Sequence, residues 1–481
     1  METAWRQLSV ANRSTDGADS LVTSAELDPQ PEVELPEPLY AFQGYGVQWL
    51  AERGHALLAD DMGLGKTVQT IVALRLLVGS AEVGRALVVC PKSVVTSWKR
   101  HFYLWAPELV VATIEGPSHD RRRKWLAFAR RCQVLIASYE TVVRDARTAV
   151  EIPFDLVVVD EAQRIKNMGS ETSQAVRRLT AQRRWALTGT PLENRIDDVL
   201  TIFRFVSPGL FRAGETPLPR SVRQRIAPYV LRRRKQDVLQ DLPPKVRDLR
   251  YVSLTPAQRV TYERAEREGL VRLAEGQDVT VQHVFELILR LKQICNFDPA
   301  TGESAKLEWL REYLDEATGQ GEKVLVFSQF VGQGIRPLEE LLANHDPLVY
   351  TGELTVDARD AVVRSFQEDP RHLVLLVSLR AGGTGLNLTA ASRVVHFDSW
   401  WNPATRLQAE DRAHRIGQTD TVFVSVLVTE GTIEERVEQL LSTKQEMFDR
   451  VIDDLSDTTV RRLLSEQDLF GLFGLRPPRS R

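Results

Sequence analysis

The sequence predicts an α/β protein with two lobes, each built on a parallel β-sheet that is covered by helices. Two series of short segments rich in Val and Leu, separated by stretches of helical length, indicate buried parallel strands. Polar residues follow the carboxyl ends of these segments, where ligand-binding residues lie in open α/β sheets. With 481 residues, the chain is also too long for a single hydrophobic core, so we expect two or three domains.

The composition is ordinary for a globular protein and excludes several other classes. No apolar run approaches the ~18–20 residues that span a membrane, and the first residues lack the apolar core of a signal peptide. The three cysteines (Cys90, Cys132 and Cys295) are far apart and form neither a disulfide framework nor a zinc site. We therefore expect a cytoplasmic location, associated with the nucleoid in a prokaryote, or a nuclear one in a eukaryote.

Charge is distributed unevenly along the chain, although the net charge is only −3. Residues 1–35 are acidic and lack any hydrophobic period, so we expect a disordered arm. Residues 212–250 carry eleven basic and four acidic side chains. Such a segment would let a partner rich in phosphates bind a local patch, even though the whole protein is not basic.

The most informative feature of the first series of strands is a glycine-rich turn between a predicted strand and a predicted helix. The strand Ala56–Ala59 precedes the run Asp60–Thr67, and a helix is predicted over Val68–Leu77. This order is typical of the phosphate-binding loop, in which glycine N–H groups and a helix N-terminus surround a phosphate. Lys66 is placed to reach the terminal phosphates, and the Thr67 hydroxyl to bind Mg²⁺.

Asp60 departs from that pattern, which has a glycine at its first position. Taken alone, the stretch could also be an ordinary glycine-containing turn between a core strand and a core helix. Gln43 lies shortly upstream, in a segment (residues 39–50) whose apolar spacing suits a helix packed beside the loop. There its amide could read an adenine edge, although a glutamine on a helix is usually just solvated.

The first series continues beyond the loop and carries two adjacent acids. Its predicted strands are Ala86–Cys90, Val134–Ser138, Leu156–Asp160 and Trp185–Gly189. Asp160 comes about 90 residues after the loop, where an aspartate can hold the Mg²⁺ of a bound nucleotide. The neighbouring Glu161 can orient and deprotonate the attacking water. The alternative is that two acids at a strand end form a solvated turn.

Residues 195–300 become helical and basic, and a second series of strands without a phosphate loop follows them. Its predicted strands are Lys323–Ser328, Leu373–Ser378, Arg393–Asp398 and Val422–Val428. Arg412 and Arg415 are three residues apart, so on a helix they would share one face. An arginine that stabilises a transferred phosphoryl group contributes roughly 10³–10⁵ in turnover, although such a pair is more often a surface salt-bridge face.

The order of these motifs resembles that of the Swi/Snf-type ATPases, superfamily-two motors that include chromatin remodellers and their bacterial relatives. The resemblance runs from about residue 39 to about residue 445. The segments that carry it are Asp60–Thr67, Val89–Ser93 with Trp98, Ala137–Tyr139, Asp160–Asn167, Leu187–Pro191, Val326–Phe330, Tyr350–Gly352, residues 381–387, Asp398 with Trp400–Pro403, and residues 408–418. Pro228–Arg233 with Leu242–Lys245 is similar to the family's hallmark between the lobes.

The resemblance implies two RecA-like lobes that close on ATP, with double-stranded DNA across both. We expect five regions: a disordered acidic arm, a first lobe that binds ATP, a helical linker or protrusion, a second lobe, and a C-terminal helical brace with a tail. Their expected bounds are residues 1–35, 36–235, 236–300, 301–430 and 431–481.

The same resemblance implies roles for individual residues. Those at the nucleotide are Gln43 at adenine, Asp61, Met62, Gly63, Leu64, Gly65, Lys66, Thr67, Gly385 and Gln408. Those in catalysis are Lys66, Asp160 as a metal ligand with Thr67, Glu161 as the base, Gln163, and Arg412 and Arg415 as arginine fingers. The DNA track is implied for Lys92, Ser138, Thr190, Ser328, Gln329, Thr351, Ser378, Asn387 and Trp401.

The activity that the resemblance implies is DNA-stimulated hydrolysis of ATP to ADP and phosphate, coupled to translocation on double-stranded DNA without strand separation. One alternative is a helicase that separates strands or acts on RNA, and another is a non-hydrolysing, ATP-gated DNA clamp. Gln163 stands where many family members have His, which still allows activity. The compact chain leaves little room for a targeting module, so additional protein subunits or targeting factors are expected, and no membrane partner.

Overall fold

Two parallel β-sheets, one in each half of the chain, organise the computed structural model of the protein. The chain divides into two units, Met1–Asp241 and Leu242–Arg481. The structure describes residues 21–22, 35–189, 196–212, 215, 217–239, 242–275, 281–382, 386–398, 403–442 and 466–474. The two sheets and their connecting helices confirm the predicted α/β class with two parallel-sheet lobes.

The first unit contains the larger sheet. A separate antiparallel pair is formed by β1 (Leu21–Val22) and β2 (Leu39–Tyr40). The strands of the sheet are β3 (His55–Leu58), β4 (Ala86–Cys90), β5 (Val111–Thr113), β6 (Val134–Ser138), β7 (Phe154–Val159), β8 (Ala181–Leu187) and β9 (Val230–Leu231). They lie in the order β5–β6–β4–β7–β8–β3–β9, and all neighbours pair in parallel.

Helices connect these strands. The described α-helices of the first unit are α1 (Ala41–Ala51), α2 (Lys66–Gly79), α3 (Val95–Trp105), α4 (Ser118–Phe128), α5 (Tyr139–Arg144), α6 (Ala146–Val150), α7 (Glu171–Arg177), α8 (Ile196–Val206), α9 (Pro219–Ile226) and α10 (Lys235–Val238). Residues 1–20 and 23–34, most of the expected acidic arm, lie outside the described residues.

The predicted strands form because their apolar side chains are buried on both faces of the sheet. β4 pairs residue for residue with β6, and every residue of both strands is buried. Val88 belongs to one hydrophobic cluster, whereas Leu87 and Val89 belong to another. Successive side chains point to opposite faces of a strand, so these two clusters cover the two sides of the sheet.

The strand order brings the functional strand ends together. β8 lies between β3 and β7. The phosphate-loop candidate after β3, Asp160 after β7 and Thr188 after β8 therefore occupy neighbouring carboxyl ends. This is the edge at which ligands bind in open α/β sheets.

The second unit contains a six-stranded sheet. Its strands are β10 (Lys245–Val252), β11 (Val324–Ser328), β12 (Leu348–Tyr350), β13 (Val374–Ser378), β14 (Arg393–His396) and β15 (Val422–Thr429). They lie in the order β10–β15–β14–β11–β13–β12, and all neighbours pair in parallel.

The second unit also contains nine described α-helices. They are α11 (Pro256–Glu275), α12 (Val281–Asn296), α13 (Ala305–Gly319), α14 (Arg336–Leu341), α15 (Val356–Glu368), α16 (Leu379–Gly382), α17 (Pro403–Glu410), α18 (residues 433–442) and α19 (Glu466–Gly471). None of the helices in the described parts of either unit is long and apolar enough to cross a membrane.

The second sheet begins earlier in the chain than the sequence predicts. Residues 236–300 are expected to form a helical linker or protrusion, but Lys245–Val252 forms β10, an edge strand that pairs with β15. Most side chains of β10 are exposed, so charged residues stand among Val246, Leu249 and Tyr251 and mask the strand pattern. The helical part of this region is α11 with α12, whose apolar side chains share one cluster.

A chain of buried polar side chains joins α12, α13 and α18 to the second sheet. The Nζ atom of Lys306 donates to Glu434 at 2.8 Å and to Asn296 at 3.1 Å. The amide of Asn296 in turn donates to Asp398, which follows β14, at 3.0 Å. All four side chains are buried, and a buried ion pair is tolerated when further hydrogen bonds satisfy its members. The described start of the expected C-terminal brace is therefore helical and anchored to the second unit.

Candidate functional site

The phosphate-loop candidate curls between β3 and α2. Gly63 and Gly65 have φ angles of 85° and 74°, in the left-handed region that glycine adopts without a steric cost. A Cβ atom on Gly65 would lie 2.5 Å from Nε2 of Gln43, so a side chain at this position would displace the amide of Gln43. Helix α2 starts at Lys66. This backbone is suited to surrounding a phosphate with N–H groups at a helix N-terminus.

Lys66 directs its ammonium group back along the loop. Its Nζ atom donates to the carbonyl oxygens of Asp60 at 2.7 Å and Asp61 at 3.1 Å. Burial lowers the pKa of Lys66, whereas the charges of Asp60 and other nearby carboxylates oppose that shift. A Cβ atom on Gly189 would lie 3.0 Å from the same Nζ atom. The same Cβ atom would lie 2.5 Å from Cγ of Met62, so the segment after β8 approaches the loop closely enough that a side chain there would displace Met62.

Asp160 is held by hydrogen bonds from two aromatic side chains. The indole Nε1 of Trp98 donates to Oδ2 of Asp160 at 2.8 Å, and the Tyr139 hydroxyl donates to the Asp160 carbonyl at 2.5 Å. Burial and then the charge of Glu161 raise the pKa of Asp160 to about 6, against the effects of Trp98 and Lys66. A bound cation would shift this carboxyl group back toward its charged form.

Glu161 is fixed by its backbone and by a chain of side-chain hydrogen bonds. Its φ angle is 52°, which is uncommon for a residue other than glycine. Its Oε2 atom accepts a hydrogen bond from Nε2 of Gln163 at 2.6 Å. Oε1 of Gln163 accepts one from the Thr188 hydroxyl at 3.0 Å. The carboxylate of Glu161 is thereby joined to the end of β8, and such surrounding contacts are what maintains an unusual backbone conformation.

These groups fit a nucleotide with Mg²⁺. The loop backbone and Lys66 suit phosphates, while the Thr67 hydroxyl and the Asp160 carboxylate are the hard oxygen donors that Mg²⁺ prefers. Within the described ranges, no group of three or more His, Cys, Asp or Glu side chains could hold a metal ion. Two protein donors are still appropriate, because Mg²⁺ is usually bound through one or two protein oxygens together with substrate phosphates.

Gln43 lies on α1, directly against the loop. Its side chain is buried. Its Oε1 atom accepts the backbone N–H of Tyr40 at 3.2 Å, and its Nε2 atom donates to the carbonyl of Leu64 at 3.4 Å. The structure thus brings the candidate adenine reader into contact with the candidate phosphate loop. The other predicted nucleotide residues of this unit (Asp61, Met62, Gly63, Leu64 and Gly65) form the loop itself.

Arg412 and Arg415 do not lie on a helix, so the shared helical face that their spacing would give does not form. Helix α17 ends at Glu410, and residues 411–417 form turns. The carbonyl of Arg412 accepts the N–H of Leu388 at 3.0 Å. Because that carbonyl bonds to a neighbouring segment instead of the next helical turn, the helix does not continue. Nη1 of Arg415 donates to the carbonyl of Leu386 at 3.4 Å, so both arginines are anchored to the segment that precedes β14.

Arg415 lies close to a second positive charge, and the last residues of α17 before it are partly or wholly buried. Burial, followed by the positive charge of Arg412, lowers the pKa of Arg415 to about 10, so its guanidinium group is still protonated at neutral pH. Glu410 is buried and accepts a hydrogen bond from Lys245 on β10 at 2.9 Å. Gln408 is half-buried on α17. Gly385, the other nucleotide residue predicted in this unit, lies outside the described residues.

The predicted DNA-track residues differ in exposure. Lys92, which follows β4, and Asn387, which follows α16, have exposed side chains. The buried members are Ser138, Ser328, Gln329, Thr351 and Ser378. Thr190 and Trp401 lie outside the described residues.

Two of the buried serines use their hydroxyl groups within the fold. The Ser138 hydroxyl accepts the N–H of Thr141 at 3.1 Å and caps α5. The Ser328 hydroxyl donates to Asp398, and Ser328 is 0% exposed. The Ser328 hydroxyl hydrogen is therefore used within the fold, whereas the Ser138 hydroxyl, which accepts, retains a hydrogen that can be donated to a phosphate.

Three residues around the candidate catalytic acids receive no individual role from the sequence: Trp98, Tyr139 and Thr188. Tyr139 and Thr188 follow β6 and β8, and the sequence already places them among the functional residues at the carboxyl ends of strands. Trp98 lies within α3, and its partner Asp160 is 62 residues away. No local pattern connects two residues so far apart in the chain.

Two protein-family models match the chain. The SNF2-related domain matches residues 42–300, and the helicase conserved C-terminal domain matches residues 305–417. The YwqA protein of Bacillus subtilis is 34% identical over 495 residues, which cover 94% of this chain and 53% of that protein. The ISWI chromatin-remodeling complex ATPase ISW1 of Saccharomyces cerevisiae is 31% identical over 473 residues, which cover 89% of this chain and 42% of that protein.

The chain spans about half the length of the curated relatives it matches. Among solved structures, the SWI2/SNF2 ATPase core of Sulfolobus solfataricus in complex with dsDNA is 33% identical with a TM-score of 0.43, and the match covers 87% of this chain and 94% of that chain. The match to the SNF2-related domain alone covers more than half of the residues of this chain, which is enough to assign the family. The chain therefore belongs to the SNF2 family.

Proposed function

We propose that this chain couples ATP hydrolysis to movement along double-stranded DNA without separating the two strands. The observation that carries the proposal is the position of Lys66, Asp160 and Glu161 at the carboxyl ends of β3 and β7, the two strands that flank β8 in one parallel sheet. Membership of the SNF2 family supports it, and one relative is named as the ATPase of a chromatin-remodeling complex.

The first unit would hold the nucleotide and activate water. The loop backbone and Lys66 would bind the phosphates, and Thr67 and Asp160 would bind Mg²⁺. Bound ATP with Mg²⁺ supplies the transferable phosphoryl group and neutralises part of its charge. Glu161, which Gln163 orients, would accept the proton of the water that attacks the terminal phosphorus, with ADP and phosphate as products.

The second unit would contribute Arg412 and Arg415 to the same reaction. Phosphoryl transfer spreads negative charge over the transferred group, and an arginine stabilises that charge by roughly 10³–10⁵ in turnover. Because these arginines belong to one unit and the phosphate loop to the other, their action would make hydrolysis depend on closure of the two lobes. Cycles of closure and opening would then move the protein along DNA.

The DNA contacts that we propose are sequence-independent. Lys92 and Asn387 have exposed side chains that can reach a phosphate backbone. Contacts to phosphates position a protein on DNA but carry no sequence information. Additional protein subunits or targeting factors would therefore select the DNA on which the motor acts.

The test of this proposal is the rate of ATP hydrolysis with no nucleic acid, single-stranded DNA, duplex DNA or RNA. We expect duplex DNA to stimulate hydrolysis most strongly. Lys66→Ala, the control for contaminating ATPases, should lower the stimulated rate about 100-fold or more, because it removes the cation that binds the phosphates. Stronger stimulation by RNA or single-stranded DNA would favour a helicase, and an absence of hydrolysis under all four conditions would refute the proposal.

A further inference from the structure

Asp60, the residue that stands in place of the first glycine of the phosphate-loop pattern, is completely buried. Its Oδ1 atom accepts hydrogen bonds from Nε and from the backbone N–H of Arg233, at 3.0 and 3.1 Å. Its Oδ2 atom accepts one from Nη2 of Arg233 and one from Nε2 of Gln69, the latter at 3.3 Å. Both carboxylate oxygens are thus engaged by a two-pronged guanidinium contact, which is the strong and directional form of this ion pair.

Arg233 extends from the loop to the segment of Gln43. Its Nη1 atom donates to the carbonyl of Phe42, and its guanidinium carbon lies 5.3 Å from the centroid of the Phe42 ring. Its Nη2 atom also donates to Oε1 of Gln69 on α2 at 2.7 Å. One side chain therefore contacts the loop, the helix that follows the loop and the residue that precedes Gln43.

The backbone around Arg233 runs beside the loop as well. The N–H of Ala59 donates to the carbonyl of Leu231 at 2.7 Å, and the N–H of Asp61 donates to the carbonyl of Arg233 at 3.0 Å. The N–H of Lys235 donates to Oδ2 of Asp61 at 3.0 Å. The end of β9 and the residues after it thereby form one wall of the loop.

The ion pair is enclosed on the side of α1. A Cβ atom on Gly46 would overlap Oε1 of Gln69 and would lie 2.8 Å from Nη2 of Arg233. The side chain of Arg233 is only 12% exposed. Removing either member would leave a buried charge without its partner, which is strongly unfavourable.

Asp60 also connects this pair to Lys66. Its carboxylate binds Arg233, while its carbonyl oxygen accepts the hydrogen bond from the Lys66 ammonium group. The position of the carbonyl that contacts Lys66 is therefore set by an ion pair on the far side of the same residue. A glycine at position 60 would provide the carbonyl but not the anchor.

We propose that Asp60 and Arg233 are positioning residues that hold the segment of Gln43 in register with the phosphate loop. This inference rests on the proposed function, because it assigns the pair a role in nucleotide binding. The pair does not contact the reacting atoms and acts through Gln43 and Lys66. Asp60 is then the required partner of Arg233 and not a defect of the loop.

Asp60→Gly provides the sharpest test, because it restores the glycine of the standard pattern. We expect it to weaken the binding of a fluorescent ATP analogue on the order of tenfold or more, since charged hydrogen bonds are lost. The KM for ATP should rise in parallel, with a smaller change in kcat. Preference for ATP over GTP should also fall, because the segment of Gln43 loses its tie to the loop.

Two conservative variants distinguish a loss of positioning from a loss of folding. Asp60→Asn and Arg233→Lys retain most of the side-chain volume but lose the two-pronged contact, and we expect both to show the same effects to a smaller extent. The matched control is Arg234→Ala, which removes one positive charge from the exposed neighbour of Arg233 and should leave affinity and base preference unchanged. Circular dichroism and thermal melting identify any variant that is not folded.

The outcomes separate this inference from the proposed function. If folded Asp60→Gly, Asp60→Asn and Arg233→Lys proteins all show wild-type affinity and base preference, the positioning role is overturned. The proposal that the protein hydrolyses ATP would still stand. A loss of kcat in all three variants at unchanged nucleotide affinity would overturn the positioning role too. Equal binding of ATP and GTP analogues by the wild type would contradict the role of the Gln43 segment, whereas binding of neither would contradict the proposed function itself.

Discussion

Glu161→Gln is expected to reduce ATP turnover by roughly 10²–10⁴-fold while nucleotide binding is retained. An amide has nearly the shape of the carboxylate but cannot accept the proton of the attacking water. The Glu161 carboxylate is already oriented by Gln163 at 2.6 Å, so the substitution removes the base with little change in the surrounding structure. Phosphate release with duplex DNA and equilibrium binding of a fluorescent ATP analogue measure the two parts of this expectation.

The matched control for Glu161→Gln is Glu151→Gln. Glu151 is exposed and follows α6, so the same chemical change at that position should leave both measurements at wild-type values. Undiminished phosphate release by the Glu161→Gln protein would show that another group accepts the proton.

Arg415→Ala is expected to abolish most of the DNA-stimulated turnover, a loss on the order of 10³-fold, while binding of duplex DNA persists. The side chain is half-buried and keeps its charge, since its pKa of about 10 lies above neutral pH. Within the described part of the chain, its one hydrogen bond to Leu386 is long, at 3.4 Å, and Nε has no hydrogen-bond partner. A half-buried guanidinium group with so few hydrogen bonds can still pair with an anion such as a phosphoryl group.

ATP hydrolysis with and without duplex DNA, together with a filter-binding or anisotropy titration of the same DNA, tests the role of Arg415. Arg371→Ala is the control, because Arg371 is 83% exposed and pairs with Asp369 on the surface. Stimulated turnover that stays at the wild-type level in Arg415→Ala would refute an arginine finger at this position.

Strands buried on both faces could be predicted from the sequence with accurate bounds. β4 (Ala86–Cys90) and β6 (Val134–Ser138) match the predicted segments because a parallel strand covered on both sides needs a continuous apolar run. The convergence of Asp160 with the phosphate loop was predictable for a similar reason. Once the sheet is parallel, functional residues at strand ends share one edge.

Short and exposed strands could not be predicted in this way. β9 has two residues, too few for any period, and β10 is an edge strand with mostly exposed side chains. Apolar and polar residues alternate less clearly along such a strand, because one of its edges and much of its surface face water. The turn that carries Arg412 was missed for a different reason, since the hydrogen bond between its carbonyl and Leu388 depends on tertiary structure.

The supporting contacts of the candidate site were also beyond local patterns. Asp60 and Arg233 are separated by 173 residues, and Trp98 and Asp160 by 62. The sequence shows Asp60 only as a departure from the glycine pattern, and the structure identifies its partner. Buried polar residues on helices, such as Lys306, likewise cannot be distinguished from solvated ones until their partners are known.

The most direct test of translocation without strand separation uses two DNA substrates in parallel. One is a duplex with a third strand bound as a triplex, and the other is a forked duplex; each is incubated with the wild-type protein and either ATP or a non-hydrolysable analogue. We expect ATP-dependent release of the third strand and no unwinding of the fork. Unwinding of the forked duplex without displacement of the triplex strand would contradict this expectation and identify a strand-separating helicase.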